Sequence, residues 1–294
     1  MNDIKSVTIA YFTGTGGTQK AALYFAESCR NRGLSVEAVQ IRAGSQMPPK
    51  ADLLVLFYAV YAFSSPGPVY PWIASLPDGD GAPAAVVSVS GGGEESPNTA
   101  CRVGAIRRLQ RKGYSVQYED MLVMPSNAIT PTAAAISIEL LRILPDKVEA
   151  ISEHIFAGHN RRTKPKFYDR AFSTGGRMEI YGARLFGRHI RVSDSCNGCN
   201  WCSKGCPTGN ITMKNSRPLF GRKCILCTRC IYGCPQKSLT PAFMPAFILK
   251  DGFSMSDFEK LLAITPPISL SDLPAGELSK TIAIYLTKDD TVNR

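Results

Sequence analysis

The 294-residue chain is expected to fold as an α/β protein: a doubly wound parallel sheet of five strands, followed by a small α+β unit organised around cysteines. Three observations carry this reading. Short apolar runs in the first half alternate with helical patterns, as the strands and helices of a parallel sheet do. The first run ends in a loop of glycines and threonines that opens a helix. Eight of the ten cysteines then fall into two short runs beyond residue 195.

Residues 7–12 (VTIAYF) read as a buried strand, residues 13–18 (TGTGGT) as a turn, and residues 19–30 as a helix. A short strand is expected at 35–39. Residues 52–58 and 84–90 are near-continuous apolar runs, the pattern of parallel strands covered on both faces. A helix is expected at 98–112, a strand near 121–124 and a helix at 132–159. Ligands of such sheets bind in the loops at the carboxyl ends of the strands. In the first of these loops Thr13, Gly14, Thr15, Gly16, Gly17 and Thr18 form an anion cradle. The first N–H groups of the helix are unpaired, its dipole favours negative charge, and glycine lets the backbone come close. A Walker-type loop is excluded because no Gly-Lys-Ser/Thr follows, and a dinucleotide fingerprint because Gln19 stands at the third-glycine position.

The loop resembles the T-x-T-G-x-T phosphate loop of flavodoxins, matched here by Thr13, Thr15, Gly16 and Thr18. The resemblance implies a flavodoxin-like sheet of order 2-1-3-4-5 that binds FMN, with the phosphate held without lysine or arginine. It also implies that the flavin ring lies between the loops after the next two strands. Ala59, Tyr61 and Phe63 belong to one, Tyr61 being the first choice for a ring contact. Ser90, Gly91, Gly92 and Gly93 belong to the other, where small residues let main-chain amides approach. Residues 124–127 open a further loop on the same edge.

Cys196, Cys199, Cys202 and Cys206 precede Pro207, and Cys224, Cys227, Cys230 and Cys234 precede Pro235, the second run lying 28 residues after the first at each matched position. Each run is C-x2-C-x2-C-x3-C-P, the ligand pattern of a cubane iron-sulfur cluster. Zinc ribbons use two separated C-x2-C pairs and have no need of a third and fourth cysteine in each run. Disulfides require an oxidising compartment, and residues 1–5 form neither a charged leader nor an apolar signal core. Cys29 and Cys101, far from the runs, read as packing. The segment resembles the bacterial two-cluster ferredoxins, in which the fourth cysteine of each run serves the other cluster. That implies two [4Fe-4S] clusters, one on Cys196, Cys199, Cys202 and Cys234, the other on Cys224, Cys227, Cys230 and Cys206.

The expected organisation is a flavodoxin-like domain over 1–159, a basic linker over 160–190, a ferredoxin-like domain over 191–241 and an extension over 242–294 packing on both. In the extension Ser256, Asp257, Phe258 and Glu259 read as a capping box opening a short helix. The combination resembles the flavodoxin-ferredoxin fusion proteins of anaerobic bacteria and archaea. It implies an electron-transfer protein relaying electrons between the clusters and FMN, and between redox partner proteins in anaerobic metabolism. Two alternatives stand beside it: an iron-sulfur flavoenzyme reducing a quinone, a nitro compound or oxygen, and a cluster-based redox sensor. No acid-base pair is visible near the expected flavin edge, and His154, His159 and His189 read as surface or packing residues.

The net charge of +10 is unevenly spread: residues 1–159 carry 13 Lys+Arg against 14 Asp+Glu, and residues 160–294 carry 21 against 10. Oxidised cubanes with four thiolates carry about −2 each and would offset part of the excess. The densest stretch has nine bases between Arg161 and Arg191 against only Asp169 and Glu179. It suits a solvated linker first, a docking face for an acidic redox partner second, and a nucleic-acid or membrane surface last. Nucleic acid is not the expected partner. The longest apolar run, residues 53–63, is too short to cross a bilayer, so a cytoplasmic protein is expected. A homodimer is compatible with the sequence, which leaves open whether the clusters face the FMN of their own chain.

Overall fold

The computed structural model describes residues 4–269 and 280–287; residues 1–3 of the expected first domain, and residues 270–279 and 288–294 of the expected extension, lie outside the described residues. Five parallel strands, β1 (Ser6–Phe12), β2 (Ser35–Gln40), β3 (Leu53–Ala59), β4 (Pro83–Ser90) and β5 (Ser115–Val123), form one sheet in the order β2-β1-β3-β4-β5. This is the flavodoxin-like order. Side chains alternate between its faces. Ile9, Val55, Phe57 and Val87 pack under α1 (Gly17–Asn31), together with α5 (Leu144–Phe156), which follows α4 (Ala134–Arg142). Ala10, Leu54, Leu56 and Val86 pack under α2 (Val69–Ser75) and α3 (Val103–Arg111).

Three elements differ from expectation. The helix expected at 132–159 is two helices, because Pro145 has no N–H to continue the ladder and sits instead in the first turn of α5, where none is needed. The helix expected at 98–112 begins at Val103, after a short 3-10 turn over Asn98–Ala100. The strand expected near 121–124 starts six residues earlier, at Ser115, since its polar Gln117, Glu119 and Asp120 hide the strand pattern.

Residues 160–190, expected as a linker, carry α6 (Phe167–Gly175) and α7 (Glu179–Arg188). The stretch is tied down by charge. Arg102, fully buried, donates to Glu119 at 2.7 Å, pairs with Glu94, and donates to Ser88 at 2.8 Å and Thr163 at 2.9 Å. Arg161 pairs with Glu94 at 2.6 Å and Asp120 at 2.7 Å, and Arg162 with Glu119 at 3.2 Å. Burial pushes the Glu94 carboxyl up, but the Arg102 and Arg161 guanidiniums more than offset it and hold it below the ordinary range. Asp169 accepts from Ser96 and Thr99 at 2.5 and 2.6 Å, which fixes α6 to the turn before α3.

The cysteine unit has a β6 (Ile190–Val192) to β9 (Leu239–Pro241) antiparallel pair and a hairpin, β7 (Ile211–Lys214) and β8 (Arg217–Phe220). Each cysteine run contains one short helix, α8 (Trp201–Gly205) and α9 (Arg229–Tyr232). The duplication extends to the backbone: Gly198 and Leu226, Asn200 and Thr228, Gly209 and Lys237 are pairs 28 residues apart, and all six have positive φ. In the extension, α10 (Met255–Ile264) is capped by Ser254, whose side chain accepts from the Asp257 N–H at 3.2 Å. The cap therefore lies two residues before the expected Ser256. Met255, Phe258 and Leu262 of α10 pack on the α1 side of the sheet, and Ile282 of α11 (Lys280–Thr287) packs on Val123, Ile136 and Leu140.

Candidate functional site

The loop after β1 turns into α1 with Gly16 at φ +110° and no side-chain cap, so the first N–H groups of a four-turn helix are free of a capping side chain. Thr13 Oγ1 accepts from the Gly16 N–H at 3.1 Å and shapes the turn. Thr13, Gly14, Thr15, Gly17 and Thr18 line a cavity of about 190 Å³ with Ala59, Tyr61 and the 124–128 loop. Among the described residues no charged side chain lines it. Asn127 donates to Thr15 Oγ1 at 2.8 Å, joining the first and last loops of the sheet edge. Met255 also lines the cavity, and a methyl at Gly17 would touch its side chain at 3.3 Å.

This cavity opens into a second of about 880 Å³; Val60, Tyr61, Ser90, Gly91, Ser126 and Asn127 line both. Gly91 is needed where the loops meet, because a methyl there would stand 2.9 Å from Ser126 Cβ. Ser90 Oγ shapes its own loop, accepting from the Gly92 N–H and the Asn98 amide, both at 3.1 Å. Phe63 lines the larger cavity and meets the Phe172 ring edge-on at 6.0 Å. Gly93 does not line either cavity: at φ +82° it turns the chain beneath Thr281.

The far wall of the large cavity comes from outside the loops read as a site in the sequence: Glu179 and Ala183 of α7, Leu226, Met244, Phe247 and Ile282. Among the described residues Glu179 is the one charged side chain in the lining, and it has no hydrogen-bond or ion-pair partner among them. Burial pushes its carboxyl up to about 7. The acid-base group missed in the sequence therefore comes from the stretch expected to be a linker.

The eight cysteines of the two runs line two small cavities. Cys206, Cys224, Cys227 and Cys230 surround the inner one with Phe186, Ile211 and Ile225. Cys196, Cys199, Cys202 and Cys234 surround the outer one with Trp201, Met213 and Leu239. Among the described residues no three of His, Cys, Asp or Glu converge as they would around a single metal ion. Thiols spaced around a cavity wall suit a group of several atoms. Backbone N–H groups point at the sulfurs in matched fashion: Asn210 to Cys206 Sγ at 3.3 Å and Ser238 to Cys234 Sγ at 3.4 Å, with Leu226 to Cys224 Sγ at 3.4 Å. Helix α7 packs so closely on this unit that a methyl at Gly187 would collide with the Cys224 side chain. Cys29 and Cys101 are fully buried in the first half, and burial raises both thiols, that of Cys29 to about 12.

The inner cysteines sit against the 13–18 loop. A methyl at Gly14 would stand 2.8 Å from Tyr61 Oη and 2.9 Å from the Cys227 carbonyl. Arg229 donates to the Gly14 carbonyl at 3.1 Å, and Tyr232 to the Asn127 carbonyl at 2.9 Å. Ile225 belongs to the core on the α2 side of the sheet, with Cys227 packed against it. The first cysteine run is held likewise: Ala43 donates to the Pro207 carbonyl and Arg42 to the Lys204 carbonyl, each at 2.7 Å. Among the described residues no helix is long and apolar enough to cross a membrane.

No family model and no curated protein matches the chain. Among solved structures it is similar to a flavodoxin from Streptococcus pneumonia TIGR4, at 18% identity over 52% of this chain and 98% of that one, with a TM-score of 0.38. A short-chain flavodoxin associated with a non-canonical PDU bacterial microcompartment gives 18% identity, 52% and 97% coverage, and 0.38. Two-electron reduced Megasphaera elsdenii flavodoxin gives 20% identity, 50% and 98% coverage, and 0.35.

Proposed function

We propose that this chain is a two-cofactor electron-transfer protein, with FMN in the joined cavities at the sheet edge and a [4Fe-4S] cluster in each cysteine-lined cavity. One observation carries the reading. Leu226, in the loop between Cys224 and Cys227, lines the large cavity, while Cys227 itself lies against Gly14 of the phosphate loop. Bound there, the cubanes supply single-electron steps and the flavin a store of one or two electrons.

The chain's own residues do the rest. The α1 N-terminus and the hydroxyls of Thr13, Thr15 and Thr18 suit a phosphate in a cavity without cations. Tyr61, Leu226 and Phe247 keep water from the space beside the inner cysteines. N–H groups aimed at sulfur favour a more negative cluster, and Lys204, Lys223 and Arg229 add to that effect. Cys199 is exposed, which makes the outer cavity the terminal at which a partner protein delivers or collects electrons. Lys214 and Lys237, both exposed and next in sequence to the cavity-lining Met213 and Gln236, suit an acidic partner. Anaerobic reconstitution tests the cofactor content: about eight irons and one FMN per chain are expected, and a chain that retains neither contradicts the proposal.

A second reading, reduction of a small molecule at the same flavin, is favoured by the size of the large cavity. Its 880 Å³ lies high in the range of about 300–1,000 Å³ that takes a drug-sized ligand, and the phosphate end has a separate cavity of its own.

A further inference from the structure

We propose that the large cavity takes a neutral, flat, conjugated cyclic diketone, a quinone, beside the flavin, and that Glu179 is the acid that protonates it. The inference rests on the small-molecule reading above. It stands on what the cavity wall contains and what it lacks. Among the described residues no lysine, arginine or histidine lines it, so none of them would neutralise a phosphate or a carboxylate on a second ligand. Nicotinamide dinucleotides and acidic substrates are thereby disfavoured. Phe63, Ile129, Leu226, Met244, Phe247 and Ile282 instead offer an apolar surface to a flat ring.

A quinone needs two electrons and two protons to become the dihydroxy aromatic. Two electrons and one proton leave the reduced flavin, which is oxidised. The second proton comes from the Glu179 carboxylic acid: its O–H bond breaks, an O–H bond forms on the acceptor, and the carboxylate recovers a proton from solvent. Restoring the reduced flavin would take two single electrons, delivered by the partner protein through the two clusters, and one proton from solvent. Glu179 is the first residue of α7 and lines the large cavity. Its raised carboxyl keeps much of the acid form near neutral pH. The titratable groups facing it are the Tyr61 phenol across the cavity, Arg177 in the adjoining smaller cavity that Glu179 also lines, and the thiols of Cys224 and Cys227 beyond Tyr61. The Arg177 guanidinium lies over the Tyr70 ring at 5.2 Å and makes no ion pair with Glu179.

The test uses holoprotein carrying FMN and both clusters, as wild type and Glu179→Gln, reduced anaerobically with dithionite and mixed with 1,4-naphthoquinone or with ferricyanide, which takes one electron and no proton. For naphthoquinone, Glu179→Gln is expected to slow flavin reoxidation by about 10²-fold. Ferricyanide should oxidise both proteins alike, and naphthoquinone binding to the oxidised proteins, followed by fluorescence titration, should be unchanged. The wild-type rate with naphthoquinone should fall as pH rises through about 7, and the variant should lack this limb. Equal naphthoquinone rates in the two proteins, or equal slowing with both acceptors, would overturn the role of Glu179 while leaving quinone reduction standing. A wild-type flavin reoxidised by naphthoquinone no faster than free FMN would overturn the small-molecule reading and the proposal with it.

Discussion

Arg229 donates a hydrogen bond to the carbonyl of Gly14 across 3.1 Å, joining the second cysteine run to the 13–18 loop over 215 residues of sequence. Around this bond the Gly14 Cα, the Tyr61 hydroxyl and the Cys227 carbonyl come together so tightly that no side chain fits at position 14. The contact fixes how far the inner cysteines stand from anything held in the loop.

Gly14→Ala should therefore disturb both sides at once. Its methyl would have to displace Tyr61 or the Cys227 backbone, an overpacking cost of about 1–3 kcal/mol. FMN affinity, read by quenching of flavin fluorescence, is expected to fall at least about tenfold, since about 1.4 kcal/mol is a factor of ten. Unchanged affinity would mean that the loop binds no phosphate or that the contact is easily relaxed.

Cys206 and Cys234 each line the cavity formed mainly by the opposite run. Cys206→Ser should cost the inner cluster and Cys234→Ser the outer one, each lowering iron content from about eight to about four per chain. Electron paramagnetic resonance of the reduced proteins would identify which cluster survives. Loss of the outer cluster alone in Cys206→Ser would contradict the crossed assignment.

Arg102 is the hub of the buried charge network, so removing it leaves Glu94 and Glu119 without their principal partner. Arg102→Ala should destabilise the protein by about 3–5 kcal/mol in urea unfolding. Acid should act on the same network. The Glu94 carboxyl is held below the ordinary value, so its stabilisation is fully present above that value, about 4.3, and is lost as pH falls below it. The stability gap between wild type and Glu94→Gln should accordingly be constant near neutral pH and shrink below about pH 4.

Much of this was legible because it is local. The 13–18 loop and the cysteine runs stand out by spacing, and β1, β3 and β4 by unbroken apolar runs. The start of β5 was hidden because Glu119 and Asp120 spend their charge on Arg102, Arg161 and Arg162, partners brought by the fold rather than by the sequence. Leu226, Phe247 and Ile282 belong to no motif, and only tertiary structure sets them in one wall. Glu179 did carry a signal: it and Asp169 are the only acids among nine bases, and both turn inward, Asp169 to hydroxyls and Glu179 to the cavity.

The central claim, that electrons pass between the inner cysteine site and the flavin of the same chain, is most directly tested by rapid mixing. Anaerobic holoprotein is given less than one equivalent of a one-electron reductant, and cluster and flavin absorbance are followed together. Flavin reduction is predicted to follow cluster reduction with a rate constant independent of protein concentration, and to slow at least about tenfold in Cys206→Ser. A rate that rises in proportion to protein concentration, or a flavin reduced equally fast without the inner cluster, would contradict the account.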